Sequence, residues 1–433
     1  MISFYYLINF ILLPGLVFLY WRQQGQEPAA LKKSFFPALA LKLLCGVLLG
    51  FFYRHYYGFG DTFQYQAQSM FLYDYFQDNP GAYLRLWLTN RFESETIRTS
   101  MVYPWYSNSY FMVILLSLLN IITGGHYFLN SLYFSFFSFF GAWQLVRAVA
   151  AVYPQWRRAA VGAFLFFPSA VFWSSGIAKE AIYMGALCWF LACVLTLFSG
   201  RGFAWVWKTA GLLVAAWLLW KIKYYFAAVI FPLAFSYAFV RWAGQRFPVL
   251  GSFKIQLLCF AAFLLVSGLV VSQMQVVFRV DFFLAQLFKS YEMILAASAG
   301  KPTLLFPDMQ PNLGSVLAHF PLAAFHAALR PFIWEGHTAP YLLAGLENGL
   351  VGLLLVFAGM KLVKNGVGRI DWFVLILLIY CGVIAALIGL STPNLGSLSR
   401  YKIAFQPFLV FLLLAAWRWH RDQPTEKDAP ATD

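Results

Sequence analysis

The chain has 433 residues, 61% of them hydrophobic and 11% charged, with a net charge of +14 and a mean hydropathy of +0.68. Soluble globular proteins carry about 25% charged residues, so this composition excludes a soluble domain, and no barrel-like alternation is seen. The cations gather at the ends of apolar runs and give no sign of nucleic acid as a partner.

Spans in such a chain must be helices, because backbone groups in lipid have to be satisfied within the segment. Apolar runs of about 17–25 residues are long enough to cross. They are read at 3–20, 35–52, 109–123, 127–149, 159–173, 180–199, 205–220, 225–241, 254–273, 339–360, 370–390 and 403–418. The expectation is a single all-α transmembrane domain, 1–433, a polytopic bundle of about 11–13 spans. Met1 to Tyr20 lacks a basic start and reads as the first span, not a cleaved signal. Two long segments, 53–108 and 274–338, separate groups of spans, and 419–433 reads as a tail.

Lys and Arg in short loops set the orientation. Arg22, Lys32 and Lys33, then Arg147, Arg157 and Arg158, then Arg201 and Lys208 mark cytoplasmic loops. So do Arg241, Arg246 and Lys254, Lys361, Lys364 and Arg369, and the tail with Arg418, Arg421 and Lys427. Both long segments and the turns at 173–180, 221–224 and 391–402 then face outward. Parity requires 109–149 to cross once or three times. The alternatives are an incomplete or re-entrant hairpin near Gly124-Gly125, or entry of part of 53–108 into the membrane.

Asp61 opens the first long segment, in Gly58-Phe59-Gly60-Asp61-Thr62, just where a helix leaves the bilayer. Two readings stand: a functional acid at the membrane surface, or the N-cap of a helix through Gln64 to Phe76. Arg54 and His55 precede it as substrate-binding candidates. Amphipathic pieces at 74–78, 83–88 and 277–297 are expected to lie on the interface. The turn Pro168 to Glu180 carries Trp173, Ser174 and Ser175 as substrate candidates, and Lys179 and Glu180 in the first turn of the next helix. A lysine there opposes the helix dipole and suggests an anionic partner.

Lys221 and Lys223 come from the next outer turn. The stretch Arg330 to His337 brings Arg330, Trp334, Glu335 and His337 together in sequence, and Glu347 lies two turns into the following span, where it needs a partner. The last outer turn ends in Arg400, Tyr401 and Lys402. As a set, Lys179, Lys221, Lys223, Arg330, Arg400 and Lys402 are read as phosphate-binding; singly, each fits snorkelling to headgroups. Cys45, Cys188, Cys193, Cys259 and Cys381 lie in apolar runs and read as core residues. The six histidines show no metal spacing.

An acid in a first large outer loop, surface helices after it, and the run Tyr110 to Pro168 with its Gly-Gly-His-Tyr turn resemble the layout of the GT-C superfamily. Ser399-Arg400-Tyr401 is similar to an Arg or Arg-Tyr late in several members. The resemblance covers about residues 1–200 in organisation. It implies a membrane glycosyltransferase that uses polyprenyl-phosphate-linked sugars, with a glycan, lipid or protein acceptor. Asp61 matches the family's general base, which in other members helps to place the acceptor or a metal. The family often pairs two acids there. This chain has one, so the second acid is sought at Glu180 or Glu335, and a divalent metal at Asp61 is the one cofactor admitted. Fixed cations would stabilise the leaving phosphate, and Phe and Leu would line a groove for the lipid chain. The setting implied is cell-envelope polysaccharide synthesis at a bacterial inner membrane, with the active site facing outward. Two other functions fit the same cations: a polymerase or ligase of lipid-linked repeat units, and a flippase for lipid-linked sugars.

Overall fold

The computed structural model describes residues 2–24, 28–90, 95–197, 203–247, 252–274, 276–365 and 371–416. The expected tail 419–433 and the loop cations Arg201, Arg369, Arg418, Arg421 and Lys427 lie outside the described residues. The helices are α1 (2–22), α2 (29–55), α3 (60–78), α4 (80–89), α5 (95–100), α6 (108–123), α7 (127–152), α8 (157–161) and α9 (168–173). They continue as α10 (179–196), α11 (203–246), α12 (253–274), α13 (280–296), α14 (313–329), α15 (339–365), α16 (372–391), α17 (395–401) and α18 (406–416). No strand occurs among the described residues.

Every expected apolar run is helical where it is described. Eight of the described helices are long and apolar enough to cross a membrane, and α17 with α18, bent by 62°, makes a ninth. The protein is an all-α, multi-pass membrane protein.

The smaller count has local causes. Residues 205–241 are counted once, in α11, but α11 is two helices meeting at a kink at Lys223 (φ −146°, ψ 69°), so the expected runs 205–220 and 225–241 stay distinct. The run 159–173 passes through a π turn at 162–166, then Phe167 goes extended (ψ 121°) ahead of Pro168, as the residue before a proline prefers. Residues 109–149 form two helices, α6 and α7, that meet at Gly124-Gly125. α6 has 16 residues, about 24 Å at 1.5 Å per residue, against about 30 Å of hydrocarbon.

Packing divides the described residues into two compact units. The first comprises 1–147, 171–190 and 209–224. Here a buried amide network joins α3, α6 and α7. Asn130 Nδ2 donates to Gln66 Oε1 (3.0 Å) and Asn120 Oδ1 (2.7 Å), Asn120 Nδ2 to Ser69 Oγ (2.9 Å), and Thr123 Oγ1 to Asn130 Oδ1 (2.6 Å). Close helix approach uses Gly141: a β-carbon there would lie 1.9 Å from the Gly185 carbonyl oxygen. Small residues permit such contacts between spans. The amphipathic pieces 74–78 and 83–88 are helical, in α3 and α4. Asn79 caps α4 by accepting from Ala82 N at 3.0 Å, with Pro80 next.

The second unit comprises 148–170, 191–208 and 225–433. In it, residues 302–304 are tied to the 391–402 turn. Leu304 N donates to Pro393 O (2.7 Å), Leu395 N to Pro302 O (3.1 Å), and Thr303 bridges Asn394. Asn394 caps α17 by accepting from Ser397 N at 2.9 Å.

Candidate functional site

In the first unit, α3 is introduced by a left-handed turn: Gly58 (φ 60°), Phe59 (φ 87°) and Gly60 (φ 53°). Gly60 is required twice. Its φ favours glycine, and a β-carbon there would lie 2.5 Å from Tyr53 Cδ1. The N-cap of α3 is Phe59 and makes no side-chain cap bond. Asp61 therefore stands one position inside the helix, in the first turn, where the dipole favours a carboxylate. It is not the cap that the second sequence reading allowed. Asp61 is half-buried.

Phenols surround it. Burial first, and the Asp61 charge second, push the Tyr103 phenol up to about 12. The same causes in the same order raise Tyr65, opposed by its bond with Ser109, with smaller upward contributions from Tyr103 and Glu180. Tyr103 donates to Gln64 Oε1 (2.9 Å), and Tyr127 to Thr62 Oγ1 (2.9 Å).

Lys179 approaches Tyr65 from another element. Its Nζ lies 5.6 Å from the centre of the Tyr65 ring and donates to Asn108 Oδ1 (3.2 Å) and Ser109 Oγ (3.0 Å). Glu180, the next residue, is buried and accepts from Lys223 Nζ at 3.2 Å. Lys223 is the residue at which α11 breaks. Its ammonium also lies 5.6 Å from the Tyr183 ring centre. Asn108 Nδ2 donates to the carbonyl of Ile222 at 3.1 Å, beside the break. Asp61, Tyr65, Lys179, Glu180 and Lys223 thus belong to one cluster. Lys221, Arg54 and His55 are exposed in this unit.

The substrate candidates of the 168–180 turn point inward. Ser174 is buried and accepts from Lys42 Nζ; Ser175 Oγ donates to Val171 O at 2.6 Å. Lys42 also donates to Val171 O at 3.3 Å. Trp173 is half-buried, its ring edge-on to Phe52 at 5.8 Å.

In the second unit, Arg330 Nε donates to Glu335 Oε1 at 2.6 Å, and Glu335 Oε2 accepts from Phe332 N at 2.7 Å. Lys402 is 2% exposed and donates to Asn348 Oδ1 (2.8 Å) and Ala328 O (3.3 Å). Asn348 Nδ2 in turn donates to Pro331 O at 2.9 Å. Glu347 has its partner: Ser169 N donates to it at 2.9 Å, and Gln406 Nε2 lies at 3.5 Å. Arg400 is half-buried beside the Tyr401 ring (5.9 Å). Trp334 is 74% exposed, stacked on Phe332 at 5.0 Å, and His337 is exposed.

The expected cation set is therefore described in two places, with Lys179, Lys221 and Lys223 in one unit and Arg330, Arg400 and Lys402 in the other. Sequence reasoning missed Lys42, Tyr65, Tyr103, Asn108, Ser109 and Gln406, and it noted Asn348 only as the neighbour of Glu347. Only Lys42 carried a visible signal, a lone charge inside an apolar run. Among the described residues, no three or more His, Cys, Asp or Glu side chains gather as a metal-holding group. The phenols around Asp61 do not make a donor set for a divalent ion. Comparison with protein-family models, with curated proteins and with solved structures returns no match.

Proposed function

We propose that the protein is a membrane glycosyltransferase that moves a sugar from a polyprenyl-phosphate carrier to an acceptor hydroxyl, at the outer face of a bacterial inner membrane. One observation supports this reading above the rest: the Lys179 ammonium lies 5.6 Å from the centre of the Tyr65 ring, one turn along α3 from the acid Asp61, whose charge acts on the same phenol. Asp61 takes the proton from the acceptor hydroxyl as its oxygen attacks the anomeric carbon. The bond from that carbon to the carrier phosphate breaks, and the electron pair leaves with the phosphate. The Lys179 ammonium faces the charge that develops there. Glu180, buried against Lys223, acts here as a positioning residue that fixes the start of α10 and hence Lys179. No step is routed through a metal or through Glu335.

The test uses purified protein in lipid with a synthetic polyprenyl-phosphate sugar. Asp61→Asn is expected to lower transfer by roughly 10²–10⁴-fold while carrier binding persists. Lys179→Met should weaken binding and transfer together. Transfer that survives Asp61→Asn but is lost in Arg400→Ala removes this reading and favours the polymerase or ligase of lipid-linked repeats. A carrier moved intact across the bilayer with no sugar transferred favours the flippase.

A further inference from the structure

Phe59 occupies a position built for glycine. Its φ of 87° lies in the region that bulky side chains avoid, and the residues on both sides are glycines with φ of 60° and 53°. A third glycine would relieve the strain. Packing within the fold does not offset it, since the ring is 60% exposed and meets Phe63 edge-on at 5.5 Å. Strain kept without an internal gain points to a ligand.

The neighbouring surface has a particular chemistry. Tyr56 and Tyr57 are each 45% exposed. Tyr56 lies flat on Phe52 (4.9 Å, 14°), and Tyr57 stands edge-on to Tyr56 (5.1 Å, 81°). Arg54 and His55 are exposed on the same stretch. We propose that Tyr56, Tyr57 and Phe59 form a platform on which a sugar ring of a glycan acceptor stacks beside Asp61, with Arg54 and His55 bonding its hydroxyls. An aromatic face carries negative charge density and takes the C–H face of a pyranose. The ring's edge hydroxyls accept from guanidinium and imidazole N–H groups. A headgroup-level aromatic belt does not need the strained backbone at 59. The inference rests on the glycosyltransferase reading for the role of Asp61, and adds to it that the acceptor is carbohydrate.

The experiment places the protein in lipid nanodiscs free of glycoside detergent and titrates cellotriose, chitotriose and mannotriose by calorimetry. Phe59→Gly and Phe59→Ala are compared, because both remove the ring but only glycine removes the strain. Wild type should bind at least one trisaccharide, and both variants should bind it about tenfold more weakly. Only Phe59→Gly should raise the melting temperature, by about 2 °C. Three results would overturn the platform: no trisaccharide bound by wild type; full affinity in a more stable Phe59→Gly, which gives the ring to lipid; or a lower melting temperature in Phe59→Gly, which removes the strain. Trisaccharide binding without transfer from the carrier leaves the platform and removes the proposed reaction. Transfer without trisaccharide binding removes the platform alone.

Discussion

Glu180→Gln tests the buried ion pair at the break in α11. The carboxylate and the Lys223 ammonium are 3.2 Å apart, with side chains 1% and 5% exposed. At an effective permittivity of about 20, charges at that separation attract by about 5 kcal/mol. Removing one partner of a buried pair costs about 3–5 kcal/mol, because the other charge stays behind in a dry site. Glutamine keeps an oxygen that accepts from Lys223 Nζ, and the Tyr183 face 5.6 Å away remains. Glu180→Gln should therefore fall near the lower end, about 3 kcal/mol. Lys223→Met leaves a carboxylate whose cation is gone and should sit nearer the upper end.

The double variant Glu180→Met with Lys223→Met leaves no charge behind. It should recover most of the loss and lie within about 1–2 kcal/mol of wild type. Unfolding in mixed detergent micelles, run as a double-mutant cycle, measures the coupling directly. A Glu180→Gln loss below about 1 kcal/mol, together with a double variant equal to the sum of the singles, would refute the buried pair. Glu180 would then be open to direct work on substrate.

Gly60→Ala places a methyl 2.5 Å from Tyr53 at a φ of 53°, so it should lose more than about 1 kcal/mol and turn Asp61 away, with transfer falling further than carrier binding; normal transfer would show that the turn does not aim the acid. Tyr103 is raised above the ordinary phenol value, so the folded state keeps its proton longer than the unfolded one. Its contribution to stability is whole below the ordinary value of 10 and is lost as pH rises to about 12. Tyrosinate absorbance should show it ionising earlier in Asp61→Asn, and an unmoved titration would separate the two groups. Lys42→Met keeps the buried stem and removes its bonds to Ser174 and Val171, but Val171 O still accepts from Ser175 at 2.6 Å. It should cost no more than about 1–2 kcal/mol, and Lys42→Ala clearly more because it leaves a cavity. Equal losses in thermal unfolding would mean that the charge, not the packing, is what the site needs.

The helices were legible because hydropathy is local, and so was the place of Asp61 past the end of an apolar run, just after Gly58 and Gly60. The oddity of a lysine in the first turn of α10 was legible too. Its resolution was not. Sequence suggested an anion outside the helix but not the residues that hold Lys179, whose ammonium reaches Asn108 and Ser109, 71 and 70 residues away, nor that Glu180 pairs with a lysine 43 residues away. Such partners depend on how spans pack, which no local pattern encodes. Ser174 and Ser175 show the same limit from the other side. A hydroxyl-rich turn reads as surface, but Lys42 in α2 needs acceptors within its own unit, and the serines turn inward to it. The span count differed where length decides, at α6, and where a helix is broken but not ended, at Phe167, whereas the break at Lys223 falls in the expected 221–224 turn.

Those breaks also say which costly charges serve the fold. An interrupted helix frees carbonyls and amides that lipid cannot satisfy. Within the second unit, Glu347 accepts from Ser169 N in the first turn of α9, just after the Phe167 break. Lys402 donates to Ala328 O in the last turn of α14. Within the first, Asn108 meets Ile222 O beside the Lys223 break, and Lys42 meets Val171 O. Each of these groups supplies what a helix end lacks, so intramembrane burial alone is weak grounds for assigning it to substrate. Lys179 differs, because its ammonium goes to side-chain oxygens of Asn108 and Ser109 and to the face of Tyr65. Asp61 suits the first turn of its helix, and its charge also acts on Tyr65. The Lys179 ammonium lies 5.6 Å from the Tyr65 ring centre and the Asp61 charge acts on the same phenol, which is why the proposed chemistry is placed there and not at the more deeply buried lysines.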